Sequence, residues 1–203
     1  MCRLLRSSLC LLVPVLCGAQ PLAQGRVRQV VDLNATSASV PTSRPTFSSR
    51  SFHHSASTRC FAATESSVGQ ELWSFDAVTA TATLVRDIKP GIVESAPADF
   101  VTFFGRTYFS ADDGVHGIEL WSTDGTAAGT VMVKDISTGS VGSAPRELLV
   151  LGFRLFFTAV GDGDGRELWV SDGTANGTVK LDIRSGGFGA DPTGLQIAEQ
   201  YAT

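Results

Sequence analysis

One period governs this chain. Glu71-Leu72-Trp73, Glu119-Leu120-Trp121 and Glu167-Leu168-Trp169 are the same tripeptide, set 48 and 48 residues apart, and they hold all three tryptophans. Other positions travel with them. Phe61, Phe109 and Phe157 each stand ten residues before the Glu. Asp76, Asp124 and Asp172 each stand three after the Trp. Asp87-Ile88, Asp135-Ile136 and Asp182-Ile183 close each copy, and Pro97, Pro145 and Pro192 open the next. A period of this length marks a supersecondary unit that cannot bury its apolar face alone and stacks against its neighbours.

Each period divides into four short strands. In the third copy Leu148–Leu151 is apolar and ends at Gly152-Phe153. Arg154–Val160 is rich in aromatic and β-forming residues. Gly161-Asp162-Gly163-Asp164-Gly165 is a turn, Arg166–Ser171 is the next strand, and Asp172-Gly173 turns the chain into Thr178–Ile183. Asp-Gly between such runs favours a hairpin, because glycine accepts positive φ without steric cost. The predicted fold is all-β: repeated four-stranded antiparallel units of about 48 residues, β-propeller-like, in an array that is incomplete or open. The units fall at 61–88, 97–136 and 145–183, with a partial unit at 192–203, so the repeat domain runs over 61–203. Alternation along a strand puts Glu119, Trp121 and Thr123 on one face and Leu120 and Ser122 on the other. The tryptophans are expected to fill the space between neighbouring units rather than to stack on a ligand. Glu71, Trp73, Asp76, Glu119, Trp121, Asp124, Glu167, Trp169 and Asp172 are read as structural positions of the repeat.

Two copies depart from the pattern. Asp76-Ala77-Val78 stands where the others have Asp-Gly-Thr. Thr178-Val179-Lys180-Leu181-Asp182 is one residue shorter than Thr130-Val131-Met132-Val133-Lys134-Asp135. A one-residue slip reverses side-chain facing, so altered pairing is expected near Lys180.

The segments before the repeat are different in kind. Arg3 and Arg6 precede the apolar run Leu9–Leu16 and the small pair Gly18-Ala19, which reads as a secretory signal peptide over 1–19, cleaved after Ala19. The run is too short to span a bilayer. Cys17 raises a lipoprotein alternative, but Leu16 and Pro14 stand where a lipobox has a small residue and a leucine. Removing the leader takes Arg3 and Arg6 and no acidic residue, so the net charge moves from −4 to −6. Cys60 is then the single cysteine, which excludes an internal disulfide. The acidic balance disfavours nucleic acid and anionic lipid as partners, and no membrane insertion is expected of the mature chain. Residues 20–60 read as a Ser/Thr-rich, poorly ordered segment with a remnant strand at 28–34: between Ala35 and Ser67, 10 Ser and 5 Thr leave little apolar area to offset chain entropy. His53-His54 lies in it without a third ligand at metal spacing, and Asn34-Ala35-Thr36 is a glycosylation triplet.

Glu119-Leu-Trp-Ser-Thr-Asp-Gly-Thr-Ala-Ala-Gly-Thr130, followed by Val133-Lys-Asp-Ile136, resembles the ELWxxDGT repeat of secreted bacterial proteins, sometimes labelled hyalin-like. Tyr108-Phe-Ser-Ala-Asp-Asp-Gly-Val-His-Gly117 resembles the family's lead-in to the motif. The resemblance runs roughly from Phe61 to Gln196, close in the second and third copies and partial in the first. It implies an exported repeat protein with supposed adhesion or surface roles, and it brings no catalytic residues to carry over.

Candidate chemistry is sparse. Asp162 and Asp164 alternate with glycine as calcium loops do, but calcium takes about six to eight oxygens and the closing Glu of an EF-type loop is absent. Asp112-Asp113-Gly114, Asp124 and Asp172 are also what plain turns use. The chain has no Gly-x-Ser-x-Gly elbow, no paired His and Cys, and no phosphate loop; Gly139-Ser140-Val141-Gly142 precedes no helix. The expectation is an exported, non-enzymatic binding or adhesion scaffold at or outside the cell surface. Its partner would be a protein or glycan ligand, or another copy through open strand edges. Three alternatives stand beside it: a calcium-stabilised adhesive or glycan-binding module, a truncated fragment of a longer repeat protein, and an enzyme built on the propeller face.

Overall fold

Eleven strands follow the predicted hairpins in a computed structural model that describes residues 58–163, 165–184 and 189–197. The predicted leader, the segment up to residue 57 and Asp164 lie outside the described residues. So do residues 198–203 of the partial fourth unit. All described residues belong to one body, Val31–Thr203.

The strands are β1 Thr58–Glu65, β2 Gly69–Asp76, β3 Thr81–Arg86, β4 Ala98–Phe103, β5 Arg106–Asp112, β6 Ile118–Thr123, β7 Val131–Lys134, β8 Arg146–Leu151, β9 Arg154–Val160, β10 Arg166–Ser171 and β11 Val179–Leu181. They form three antiparallel meanders. Sheet 1 is β1-β2-β3, sheet 2 is β4-β5-β6-β7 and sheet 3 is β8-β9-β10-β11. The fold is all-β, and the described residues contain no helix. Among them no helix is long and apolar enough to cross a membrane. The second and third copies are four-stranded as predicted, and the first shows three strands among the described residues.

Strand alternation decides how the sheets stack. Leu72, Val85 and Ile88 of the first copy share a core with Phe109, Ala111 and Trp121 of the second. Tyr108, Leu120, Val133 and Ile136 of the second share another with Leu155, Phe157, Ala159 and Trp169 of the third. Leu72 and Leu120 thus face the following sheet, and Trp121 and Trp169 face the preceding one. Phe109 pairs with Trp121 across β5 and β6, and Phe157 with Trp169 across β9 and β10, so each tryptophan stands beside the repeat's phenylalanine.

The shortened third copy lacks a specific residue. In the first two copies Leu72 pairs with Arg86 while Trp73 pairs with Leu84, and Leu120 pairs with Lys134 while Trp121 pairs with Met132. Val85 and Val133 are bulged out of those ladders and buried toward the next sheet. In the third copy Leu168 pairs with Leu181 and Trp169 with Lys180, with no bulge between them. The deletion has removed the bulge residue. The residues on either side keep their facing, and the strand loses one apolar side chain.

The departure in the first copy has a local outcome. Without Gly-Thr after Asp76, the ladder of β2 and β3 continues to Asp76–Thr81 and closes over Ala77–Ala80, with Ala80 at a φ of 54°. In the second copy the ladder stops at Ser122–Val131 and a longer loop follows.

Candidate functional site

The glutamate of each Glu-Leu-Trp is the least expected feature. Glu71 and Glu119 are 0% exposed and Glu167 is 2% exposed. A carboxylate survives such burial only with hydrogen-bond donors around it. Glu71 accepts from the Ile88 amide at 2.8 Å, the Ser95 amide at 3.1 Å and the Ser95 hydroxyl at 2.6 Å. Glu119 accepts from the Ser137 amide at 3.1 Å, the Ser143 amide at 2.9 Å and the Ser143 hydroxyl at 2.5 Å. Ser95 and Ser143 lie on the segments that leave one sheet for the next. Their carbonyls in turn accept from the amides of Asp112 and Val160 on the following sheets. Each glutamate is therefore a clamp that ties a sheet to the connection leading onward.

The third clamp is incomplete. Allowing for the deleted bulge, Ala190 stands where Ser95 and Ser143 stand. Its amide donates to Glu167 at 2.8 Å. Alanine has no hydroxyl, and Glu167 Oε2 is buried without a partner among the described residues. Ala190→Ser should supply the missing donor and raise stability by about 1 kcal/mol, read as a higher denaturant midpoint at unchanged m-value.

Burial pushes the carboxyls of Glu71 and Glu119 up, and the serine and backbone donors only partly offset it. A raised folded-state value means the folded chain binds the proton more readily than the unfolded chain. The contribution to stability is fully present below the ordinary Glu value and is lost as pH rises through the folded value. The stability of the wild type relative to Glu119→Gln, which cannot titrate, should therefore grow as pH falls from neutral toward the ordinary Glu range. Chemical denaturation of the two chains across that range measures it.

A second link joins neighbouring sheets on the same face. Arg86 Nη1 donates to the carbonyl of Thr130, and its guanidinium lies 5.8 Å from the Trp121 ring centroid. Lys134 repeats this one period on: Nζ donates to Thr178 O at 2.8 Å and lies 5.9 Å from the Trp169 centroid. Trp169 Nε1 donates to Ala159 O at 3.2 Å.

The turn aspartates have local partners. Asp124 Oδ1 accepts from the Thr126 amide at 2.9 Å and its hydroxyl at 2.7 Å, and Asp172 does the same with Thr174. These hydroxyl bonds hold both carboxyls below the ordinary range. The carboxylates fill the space a Cβ at Gly129 or Gly177 would need, which explains the second glycine of Asp-Gly-Thr-x-x-Gly-Thr. Asp76 caps its shorter turn through the Val78 amide at 2.7 Å. Asp112 pairs with Lys89 at 2.5 Å, and Asp113 receives the Val115 and His116 amides at 2.8 Å with His116 Nδ1 2.7 Å from its other oxygen. Asp162 accepts from the Thr138 amide at 2.7 Å and its hydroxyl at 2.9 Å, so this candidate calcium ligand joins sheet 3 to the connection from sheet 2. Asp164 lies outside the described residues. Among the described residues no three His, Cys, Asp or Glu converge as a metal site. Cys60 is a free, half-buried thiol that burial pushes up.

Sequence reasoning missed the clamp and the cation link. The signal was present: Ser95-Ala96-Pro97 and Ser143-Ala144-Pro145 repeat in step, and Arg86 and Lys134 hold the same place. Phe104 and Phe153, exposed at the tips of neighbouring hairpins and stacked 6.2 Å apart, were also unremarked.

No family model matches the chain. No curated protein matches it. Among solved structures it is similar to a puromycin hydrolase mutant complexed with PGG, at 19% identity and a TM-score of 0.42. It is also similar to a structure from work on two prolyl endopeptidases, at 11% identity and a TM-score of 0.42. Each similarity covers 62% of this chain but only 20% and 18% of the other, so the chain spans about a fifth of those proteins. At these scores the likeness assigns no activity.

The expectation of a binding or adhesion scaffold is corrected here. Nothing in the comparisons supports adhesion. The repeated side chains are taken up within the fold, as their reading as structural positions implies: the glutamates in clamps, Trp121 and Trp169 between sheets and the aspartates in their own turns.

Proposed function

We propose that the described residues are consecutive blades of a β-propeller and that their role is architectural, with the repeated residues holding blade to blade. The observation that carries this reading is the glutamate clamp, which recurs on Glu71, Glu119 and Glu167 and bonds each time to the segment that leaves its sheet, for Glu71 and Glu119 on the way to the next. The four-stranded meander order and the resemblance to ELWxxDGT repeat proteins support it. In this reading the motif glutamate is a buried acceptor, the tryptophan a spacer and the Asp-Gly-Thr loop a self-capped hairpin end.

Amide hydrogen exchange tests it. The Ser95 and Ser143 amides, both on connecting segments, should exchange as slowly as the central strands β5 and β9, because they open only when two blades separate. Exchange of those amides at the rate of an exposed loop would overturn the reading.

A further inference from the structure

The two internal interfaces show what each face of a blade mates with. The onward face of sheet 2 presents Tyr108, Leu120 and Ile136, and the backward face of sheet 3 receives them with Leu155, Phe157 and Trp169. The same two kinds of face occur once more on the first and last described sheets, where no other described sheet covers them. At the onward face of sheet 3, Phe156 and Leu168 are only half-buried, and Leu181 and Ile183 are 37% and 59% exposed. Tyr108, Leu120 and Ile136, the counterparts of Phe156, Leu168 and Ile183, are at most 6% exposed. At the backward face of sheet 1, Phe61 and Trp73 are half-buried, whereas Phe109, Phe157, Trp121 and Trp169 are buried.

The chain also leaves sheet 3 as it leaves the other two. Asp191 has a φ of 47°, beside 48° at Ala96 and 45° at Ala144. The Asp191 amide donates to Arg166 O as the Ala144 amide donates to Ile118 O, both at 2.9 Å. The Gly194 and Leu195 amides then donate to Glu147 near the start of β8. The backbone is thus set for another blade against sheet 3.

We propose that this place is taken by sheet 1 of a second copy, joined head to tail through the faces of the blades. The contact would repeat the internal interface, with the onward face of one copy against Phe61 and Trp73 of the next. It is heterologous, so it closes into a ring or propagates as a filament according to the rotation between copies. It is also more apolar than the internal interfaces. Leu181 occupies the register position of Arg86 and Lys134, so an aliphatic side chain meets Trp73 where a cation meets Trp121 and Trp169. Burying exposed apolar area supplies the driving force.

This inference rests on the blade reading, and the experiment separates the two. The mass of the purified chain is measured by light scattering across a concentration series at low and high salt, beside Ile183→Asp and Trp73→Lys. The expected result is a wild type whose mass rises above that of one chain and does not fall with salt. Each variant alone should associate at least tenfold more weakly. Mixing the two should restore a one-to-one complex, because one keeps its onward face and the other its backward face. Ile183 is exposed in the single chain, so Ile183→Asp should melt as the wild type does, and it decides the matter even if Trp73→Lys does not fold. A wild type that stays a single chain at all concentrations overturns the proposal, as does association that Ile183→Asp leaves intact. In either case slow exchange of the Ser95 and Ser143 amides would leave the blade reading standing.

Discussion

Glu119→Ala should unfold at a denaturant midpoint corresponding to a loss of roughly 3–5 kcal/mol, and melt roughly 10 °C or more below the wild type. The carboxylate is 0% exposed and accepts from two amides and one hydroxyl, at Ser137 and Ser143. Truncation removes the acceptor and leaves those donors buried. Each unpaired buried donor costs about 1–3 kcal/mol, and the vacated side-chain volume adds to the loss. Glu119→Gln should lose far less, because it keeps one carbonyl acceptor and an amide that can bond to the Ser143 hydroxyl. Equilibrium denaturation of the three chains checks both statements. A Glu119→Ala chain within 1 kcal/mol of wild type would show that the clamp holds nothing together.

Gly117→Ala should cost about as much for a different reason. Gly117 has a φ of 71°, where an L side chain is strained by roughly 1–2 kcal/mol. A Cβ there would stand 2.6 Å from Gly142 N and from Val141 C and 2.7 Å from Ser140 O, all backbone atoms that cannot rotate away. The Gly139-Ser140-Val141-Gly142 segment is pressed against the start of β6, with a parallel bridge between Ile118 and Gly142. Displacing it moves Ser143, the partner of Glu119. The combined loss is expected at roughly 3–5 kcal/mol. Gly139→Ala is the control: φ is 96°, but nothing lies within 4 Å of the added atom, so only the conformational strain remains. Equal losses in the two variants would show that the close approach does not matter.

The strands were legible because their signals are local. Alternation, Asp-Gly turns and the Phe and Trp markers placed Arg154–Val160 and Arg166–Ser171 at the bounds seen for β9 and β10. Facing within β6 was legible too, since period-two geometry places Trp121 and Leu120 on opposite faces, and they enter different cores. A change near Lys180 was anticipated from a count of residues, but not that the flanking residues would keep their facing. Its form, loss of the bulged valine, needed the ladder itself. The glutamates were recognised as repeated but not understood, because their partners lie on connections to the next sheet: Ser95 is 24 residues beyond Glu71, and Ser143 is 24 beyond Glu119.

The sequence by itself determined the period, the strand content and the turn chemistry, because each depends on residues a few positions apart on one strand or one loop. Only the tertiary structure decided what the repeated residues do. A buried carboxylate looks like any surface glutamate until a neighbouring sheet removes its water, and Ala190 looks harmless until Glu167 Oε2 is found without a donor among the described residues. Likewise Leu181 and Ile183 read as ordinary strand residues. They differ from Ile136 in that no sheet among the described residues covers them.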